Sequence, residues 1–212
     1  MNSGAGMETA RRPRLFQASI LLICEWAGLT LLAILLSPVN FVFGVRAQTQ
    51  TANEYEVKAA FLYNFAKFVE WPPEAFGSGG GTALIVGIIG DDPFGSAIDR
   101  TISGKTVNGR QLTIRRLKWG QNLKDCHVLF VSSSEQKRLP QILEILKGAS
   151  VLTVSEMDQF SQQGGVIGFV MENSKVRFEI NTSASEQARL KISSKLLALA
   201  RIVRSGKAGG KK

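Results

Sequence analysis

The sequence predicts an α/β fold: a mixed β-sheet flanked by helices in three layers, α/β/α, with a closing C-terminal helix. Three observations predict it. Short, largely apolar runs, ALIVGIIG from Ala83, HVLFVSS from His127 and SVLTVSE from Ser150, read as buried strands. Helix start and stop signals stand between them. A strand pair, VIGFVM and KVRFEI, then precedes a last amphipathic segment.

The chain opens on features of an export signal. Arg11, Arg12 and Arg14 form a basic start, Leu15 to Leu36 is mostly apolar, and Val45-Arg46-Ala47 offers small residues for cleavage. Glu25 and Trp26 split the apolar stretch into pieces of roughly ten residues, short of the ~20 that a membrane-spanning helix needs. Residues 1–47 are therefore expected to be a signal peptide, against the rival of an uncleaved anchor. RRPRLF lacks the rest of a twin-arginine pattern, and Ile23 is too bulky before Cys24 for a lipoprotein box.

The first helix of the folded part is expected from Glu54 to Trp71, where Pro72 and Pro73 stop it. At 100° per residue Val57, Phe61, Leu62, Phe65, Phe68 and Val69 share one broad stripe. Lys58 falls inside that stripe. An unpaired buried ammonium is costly, so Lys58 either snorkels to the surface or meets an acidic or anionic group. Tyr63, Asn64 and Lys67 lie opposite, spaced so that one ligand or partner could meet all three, or simply solvated.

A Gly/Ser loop, Gly77–Gly81, leads to the first buried strand. DDPFG follows as a strand-to-helix turn, with Asp91 or Asp92 as N-cap and Pro93 in the first turn of a helix reaching Ile102. Asn108-Gly109 in KTVNGRQLTIRRL marks a hairpin. After the second buried strand, Ser132 and Glu135 have capping-box spacing for a helix that ends near Lys147-Gly148. The third strand carries another N-cap signal at Ser155. Gly164-Gly165 permit either a turn or a close backbone approach, and Glu172-Asn173-Ser174 turns the second hairpin. The closing helix is expected from Ser183 to Val203, with Leu190, Leu196, Leu197, Ala200 and Val203 on related faces. Residues 205–212 read as a disordered basic tail.

Without residues 1–47 roughly 165 remain, enough for one domain at residues 48–204. The full chain has 26 Lys and Arg against 17 Asp and Glu; without the leader's charges the balance is 22 to 15. The excess sits in Arg110–Lys118 and after Arg201, uninterleaved with aromatics, which argues against nucleic acid. An acidic partner, an anionic ligand or a membrane surface suits it better, against the plainer reading of solvated basic faces. Cys126 is the one cysteine left, so no internal disulfide can form, and its apolar run reads as that of a small buried hydrophobe, against an intermolecular bridge. His127 is the sole histidine and points to the opposite face of the strand, a poor metal pair with Cys126.

Known catalytic patterns are missing. GIIGDDPFG lacks dinucleotide-loop spacing, and no phosphate-cradling G-x-x-x-x-G-K-[ST] occurs. VLFVSS ends in serine where a phosphorelay receiver would have aspartate. A nucleophilic triad would have to use His127. Ser132, Ser133 and Ser134, opening a helix after a strand, could hold a small anion or act as ordinary caps.

Taken in order, EYEVKAAFLYNFAKFVEWP, VGIIGDDPFG, CHVLFVS, VLTVSEMDQFSQQGGVIGF, VRFEIN and LKISSKLLALARIV resemble the successive motifs of the YfiR-like periplasmic proteins, from about Tyr55 to Val203. The resemblance implies a dimeric periplasmic repressor that binds the periplasmic sensory part of an inner-membrane diguanylate cyclase, lowering cyclic di-GMP and biofilm formation. It implies no cofactor and no catalysis. YfiR-like repressors can use disulfides, a device Cys126 alone does not supply within one chain. On this reading Tyr63, Asn64 and Lys67, near the Trp71-Pro72 exit, form part of a recognition surface; Arg189 with Asn181 is a second candidate patch, against helix capping and surface salt bridges. The rival reading is a periplasmic sensor of a small anion at Ser132–Ser134 that presents its state to a transporter or kinase.

Overall fold

A computed structural model describes residues 43–77 and 83–204, with side chains from residue 53 onward. The expected leader up to residue 42, most of the Gly/Ser loop and the basic tail lie outside the described residues. Chain contacts divide at Thr49/Gln50, and the unit from Gln50 onward is the one described below.

Helix α1 (Phe43–Phe68) is followed by strand β1 (Val69–Glu70) and a 3-10 turn (Pro73–Phe76). Then come β2 (Ala83–Ile89), α2 (Ser96–Ile102), β3 (Thr106–Val107), β4 (Arg110–Leu117) and β5 (Val128–Val131). A 3-10 turn (Ser133–Arg138) runs into α3 (Leu139–Ile145), β6 (Leu152–Ser155), β7 (Ile167–Glu172) and β8 (Lys175–Asn181). The chain closes through α4 (Thr182–Gln187), β9 (Lys191–Ile192), α5 (Ser194–Leu197) and β10 (Arg201–Val203).

Eight strands make one mixed sheet in the order β10-β8-β7-β6-β5-β2-β4-β3, parallel except at the β7/β8 and β3/β4 hairpins. Strand alternation sends side chains to two separate cores. Val86, Ile88, Val128, Phe130 and Val154 meet α1 and α2 on one face, whereas Ile89, Leu129 and Val131 meet Leu139 and Ile142 of α3 on the other. The three-layer expectation therefore holds.

Both hairpins follow their turn chemistry. Val107 pairs with Arg110 across Asn108 (φ 51°) and Gly109 (φ 77°), and Glu172 pairs with Lys175 across Asn173 (φ 50°) and Ser174 (φ 59°). Two consecutive left-handed residues match the twist of the flanking strands.

The helix boundaries differ from expectation where tertiary pairing offers backbone groups a better partner. Val69 and Glu70 leave α1 to pair with Ile192 and Lys191, and the Ser193 amide donates to the Phe68 carbonyl at 2.9 Å, so the helix stops before Pro72. Along α1, Val57 is exposed, while the small Ala59 and Ala66 complete the buried stripe beside Leu62, Phe65 and Val69. In the turn after β2, Asp92 Oδ1 accepts from the Phe94 amide at 2.8 Å and Gly95 is left-handed, which delays α2 to Ser96. Ser132 caps a 3-10 turn, and no capping box closes: its own amide already donates to Ile89 O at 3.0 Å, and Glu135 turns to Arg138. The Ser155 hydroxyl likewise accepts from Met157 N in a turn without opening a helix.

The closing helix is the largest correction. Arg189 adopts φ 56° after α4, β9 pairs with β1, and β10 adds in parallel to the edge strand β8. Apolar spacing that reads as one helix is thus divided among short elements, because the open edges of β1 and β8 take up the backbone hydrogen bonds.

Candidate functional site

Helix α1 crosses one face of the sheet from the carboxyl edge of the parallel strands, where Lys58 meets Glu156, to their amino edge, where Trp71 meets His127. Each end has its own polar construction.

At the carboxyl edge Lys58 is 3% exposed. Its Nζ lies 2.5 Å from Glu54 Oε1, one helical turn back, and 2.5 Å from Glu156 Oε2 just past β6. The ammonium therefore meets acids and does not snorkel. Tyr55 completes the network: its hydroxyl donates to Glu156 Oε1 at 3.2 Å, and Lys58 Nζ sits 4.6 Å from its ring centroid. Burial alone would lower the Lys58 pKa, but the hydrogen bonds to Glu156 and Glu54 outweigh it and hold the pKa above the ordinary lysine value. Burial and the Glu156 charge raise the phenol of Tyr55.

These residues line a cleft of about 720 Å³, which also takes in Ser133, the Glu156–Phe160 turn and, at the far wall, Glu179. Glu179 is buried, accepts from Ser161 Oγ at 2.5 Å and is clasped by Arg201 of β10. Four carboxylates, those of Glu54, Glu156, Asp158 and Glu179, face two cations, Lys58 and Arg201, so an acidic cleft opens in a basic protein.

The sheet's topology explains where the cleft lies. β2 is flanked by β4 and β5, both parallel to it, so the winding reverses between β2 and β5, and the crevice at their carboxyl ends is the usual ligand position in such sheets. Here the protein fills it. Ser134 Oγ accepts from Asp91 N at 2.9 Å and contacts Ser132 Oγ at 3.3 Å, directly against left-handed Gly90, where a Cβ would collide with it. The open space is displaced toward β6. Of the three serines, Ser133 reaches it, while Ser132 and Ser134 act as caps and loop ties.

On the outer side of α1, Tyr63 and Asn64 are half-buried and Lys67 is exposed. Lys67 Nζ lies 5.4 Å from the Tyr63 ring centroid, so the two form one feature. Tyr63 also leans on the core. Trp71 lies beyond the helix end, half-buried, its indole donating to the His127 carbonyl at 3.1 Å. Asn181 and Arg189 do not form a patch: Asn181 is buried, capping α4 through Ala184 N and donating to Ser161 O, while exposed Arg189 donates to Gly148 O.

Sequence reasoning left Lys58 either to snorkel or to meet an acidic or anionic group; the structure selects the acids, of which Glu54 was legible at i−4. Glu156, Glu179 and Arg201 were missed, since nothing local marks residues brought together by strand order. Cys126 is buried as expected, its thiol pushed up to about 11 by burial.

Among curated proteins none matches the chain. A solved structure described as the ABC domain in complex with L-Trp from Streptococcus pneumonia has a TM-score of 0.44 and 8% sequence identity, over 57% of this chain and 55% of that one. The chain thus spans about half of that structure's length, and the likeness is too slight to argue from. A family model described as YfiR/HmsC-like matches residues 55–201, from Tyr55 of the Lys58 network to Arg201. That family is regulatory, non-catalytic and periplasmic, and works through partner proteins. With the match running through nearly the whole described fold, this chain belongs to the YfiR/HmsC-like family.

Proposed function

We propose that this protein is a periplasmic negative regulator that binds the periplasmic sensory domain of an inner-membrane diguanylate cyclase and holds it inactive, lowering cyclic di-GMP synthesis and biofilm formation. Family membership across residues 55–201 carries the reading. Residues 1–47 serve as the export signal, and the regulator works as a homodimer. The Tyr63–Lys67 face of α1 supports a contact mechanism, because an exposed cation stacked beside an aromatic ring suits recognition of an acidic partner surface. The test is to express the chain with an affinity tag in the periplasm of its source organism, crosslink, and identify what co-purifies from the membrane. Recovery of a diguanylate cyclase supports the reading; consistent recovery of other membrane proteins without one overturns it. With that partner in hand, Lys67→Glu is expected to weaken binding about tenfold while shifting stability by less than about 0.5 kcal/mol.

A second reading is favoured by one observation, the acidic 720 Å³ cleft. It makes the protein a small-ligand sensor that presents its state to a transporter or sensor kinase. The ordinary capping roles of Ser132 and Ser134 move the candidate ligand position from the serines to the cleft. A thermal-shift screen separates the readings, since a ligand that binds only the folded form raises its stability by mass action.

A further inference from the structure

The amino edge of the sheet carries a histidine that the regulator reading does not use. His127 is 6% exposed and lies immediately before β5. Its Nδ1 accepts the Ile85 amide at 3.0 Å, so the neutral ring carries its proton on Nε2, and that buried nitrogen has no completed hydrogen bond. Phe76 stacks on the ring at 4.6 Å between centroids and 24° between planes. The other face of Phe76 is covered by Arg110, whose guanidinium carbon is 3.8 Å from the ring centroid. Arg110, Phe76 and His127 form a sandwich that holds the Phe76 end of the Trp71–Phe76 strap. The other end is held separately, by the Trp71 indole on the His127 main-chain carbonyl.

This sandwich suits a neutral imidazole only. A proton on Nδ1 would replace the acceptor of the Ile85 amide with a second donor facing it. The imidazolium would then be buried on an aromatic ring already occupied by a cation. Of the charged groups on the elements packed around the ring, Arg110 on β4 is the one that acts on it, and it opposes protonation; Glu70 on β1 and Glu74 on the strap are exposed and do not bear on it. Burial lowers the His127 pKa most, the Ala75 carbonyl pulls the other way, and the Arg110 charge adds a smaller push downward, so the net shift is down.

We propose that His127 is an acid-operated latch: taking a proton from solvent onto Nδ1 breaks the Ile85 N–H···Nδ1 bond, turns the ring out, and frees the Phe76 end of the strap while Trp71 remains as its hinge. Release removes the Phe76 wall of the pocket of about 330 Å³ that Trp71, Pro73, Phe76 and Arg110 line, and so reshapes the surface at the exit of α1. The latch is independent of which partner the protein binds.

His127 is the only histidine, so its ring signals in the NMR spectrum of the full, untagged chain are unambiguous. We expect the ring to titrate below the ordinary 6.5, with the amides of Ile85 and of residues 74–77 moving at the same midpoint. His127→Asn keeps an acceptor for Ile85 without a titrating group, and its strap amides should stay still from pH 7.5 to 4. Phe76→Ala should raise the ring midpoint toward 6.5. A ring that titrates while the strap amides remain still, or strap amides that move equally in His127→Asn, would overturn the latch. So would a midpoint at or above 6.5, or one unmoved by Phe76→Ala.

Discussion

Replacing Glu156 by Gln tests whether the Lys58 network is a buried ion cluster. The Lys58 side chain is 4% exposed, against 16% for Glu156 and 26% for Glu54. Glu156→Gln leaves the ammonium buried with one, more exposed, carboxylate. Removing one partner of a buried pair costs about 3–5 kcal/mol, and the remaining Glu54 places this case near about 3. Lys58→Met removes the desolvated cation and leaves two carboxylates that water can still reach, which we expect to cost about 2 kcal/mol. The double variant removes both members, keeps an acceptor for the Tyr55 hydroxyl, and should cost about 2 kcal/mol or less. The coupling is therefore about 3 kcal/mol. Urea denaturation reads it directly: with a slope of about 2 kcal/mol/M, Glu156→Gln lowers the midpoint by about 1.5 M at unchanged slope. Additive costs, or a Glu156→Gln midpoint within about 0.3 M of wild type, would refute the argument and mean that Lys58 is solvated.

Gly87 lies in mid-strand, and a Cβ there would collide with the Cys126 sulfur, with Leu117 Cδ1 and Leu129 Cδ1 each at 3.1 Å. Gly87→Ala should cost about 1–3 kcal/mol of unfolding free energy, and Cys126→Ala in the same chain should restore part of it; no restoration would mean that the leucines are the obstacle. Arg201→Ala strands the buried Glu179 carboxylate with Ser161, although Arg201 itself is largely exposed, so a loss of about 1–2 kcal/mol by thermal or urea unfolding is expected. His127 gives a signed pH dependence. Its folded pKa lies below the unfolded 6.5, so the unfolded chain binds more protons, and stability falls as pH drops from about 6.5 to the folded value. His127→Asn should flatten that part of the profile, and an unchanged slope would place the titration elsewhere.

Much of the architecture was legible in the residues themselves. Apolar runs such as HVLFV are buried on both faces wherever helices cover a sheet, and Asn108-Gly109 states its turn through the left-handed φ values that these residues tolerate. Lys58 inside an apolar stripe had to reach either water or an anionic group by electrostatics alone. What only the tertiary structure decided was the acid at distance: Glu156 lies 98 residues away and reaches Lys58 because β6 ends beneath α1. The same holds for the closing segment. Its apolar spacing satisfies a helix, yet a helix would leave the edges of β1 and β8 unpaired, and the hydrogen bonds offered there by residues remote in sequence outweigh a local preference of a few tenths of a kcal/mol per residue, about 0.7 at most. Local chemistry determined which groups must find partners. Strand order, which closes contacts between distant parts of the chain, determined which partners they found.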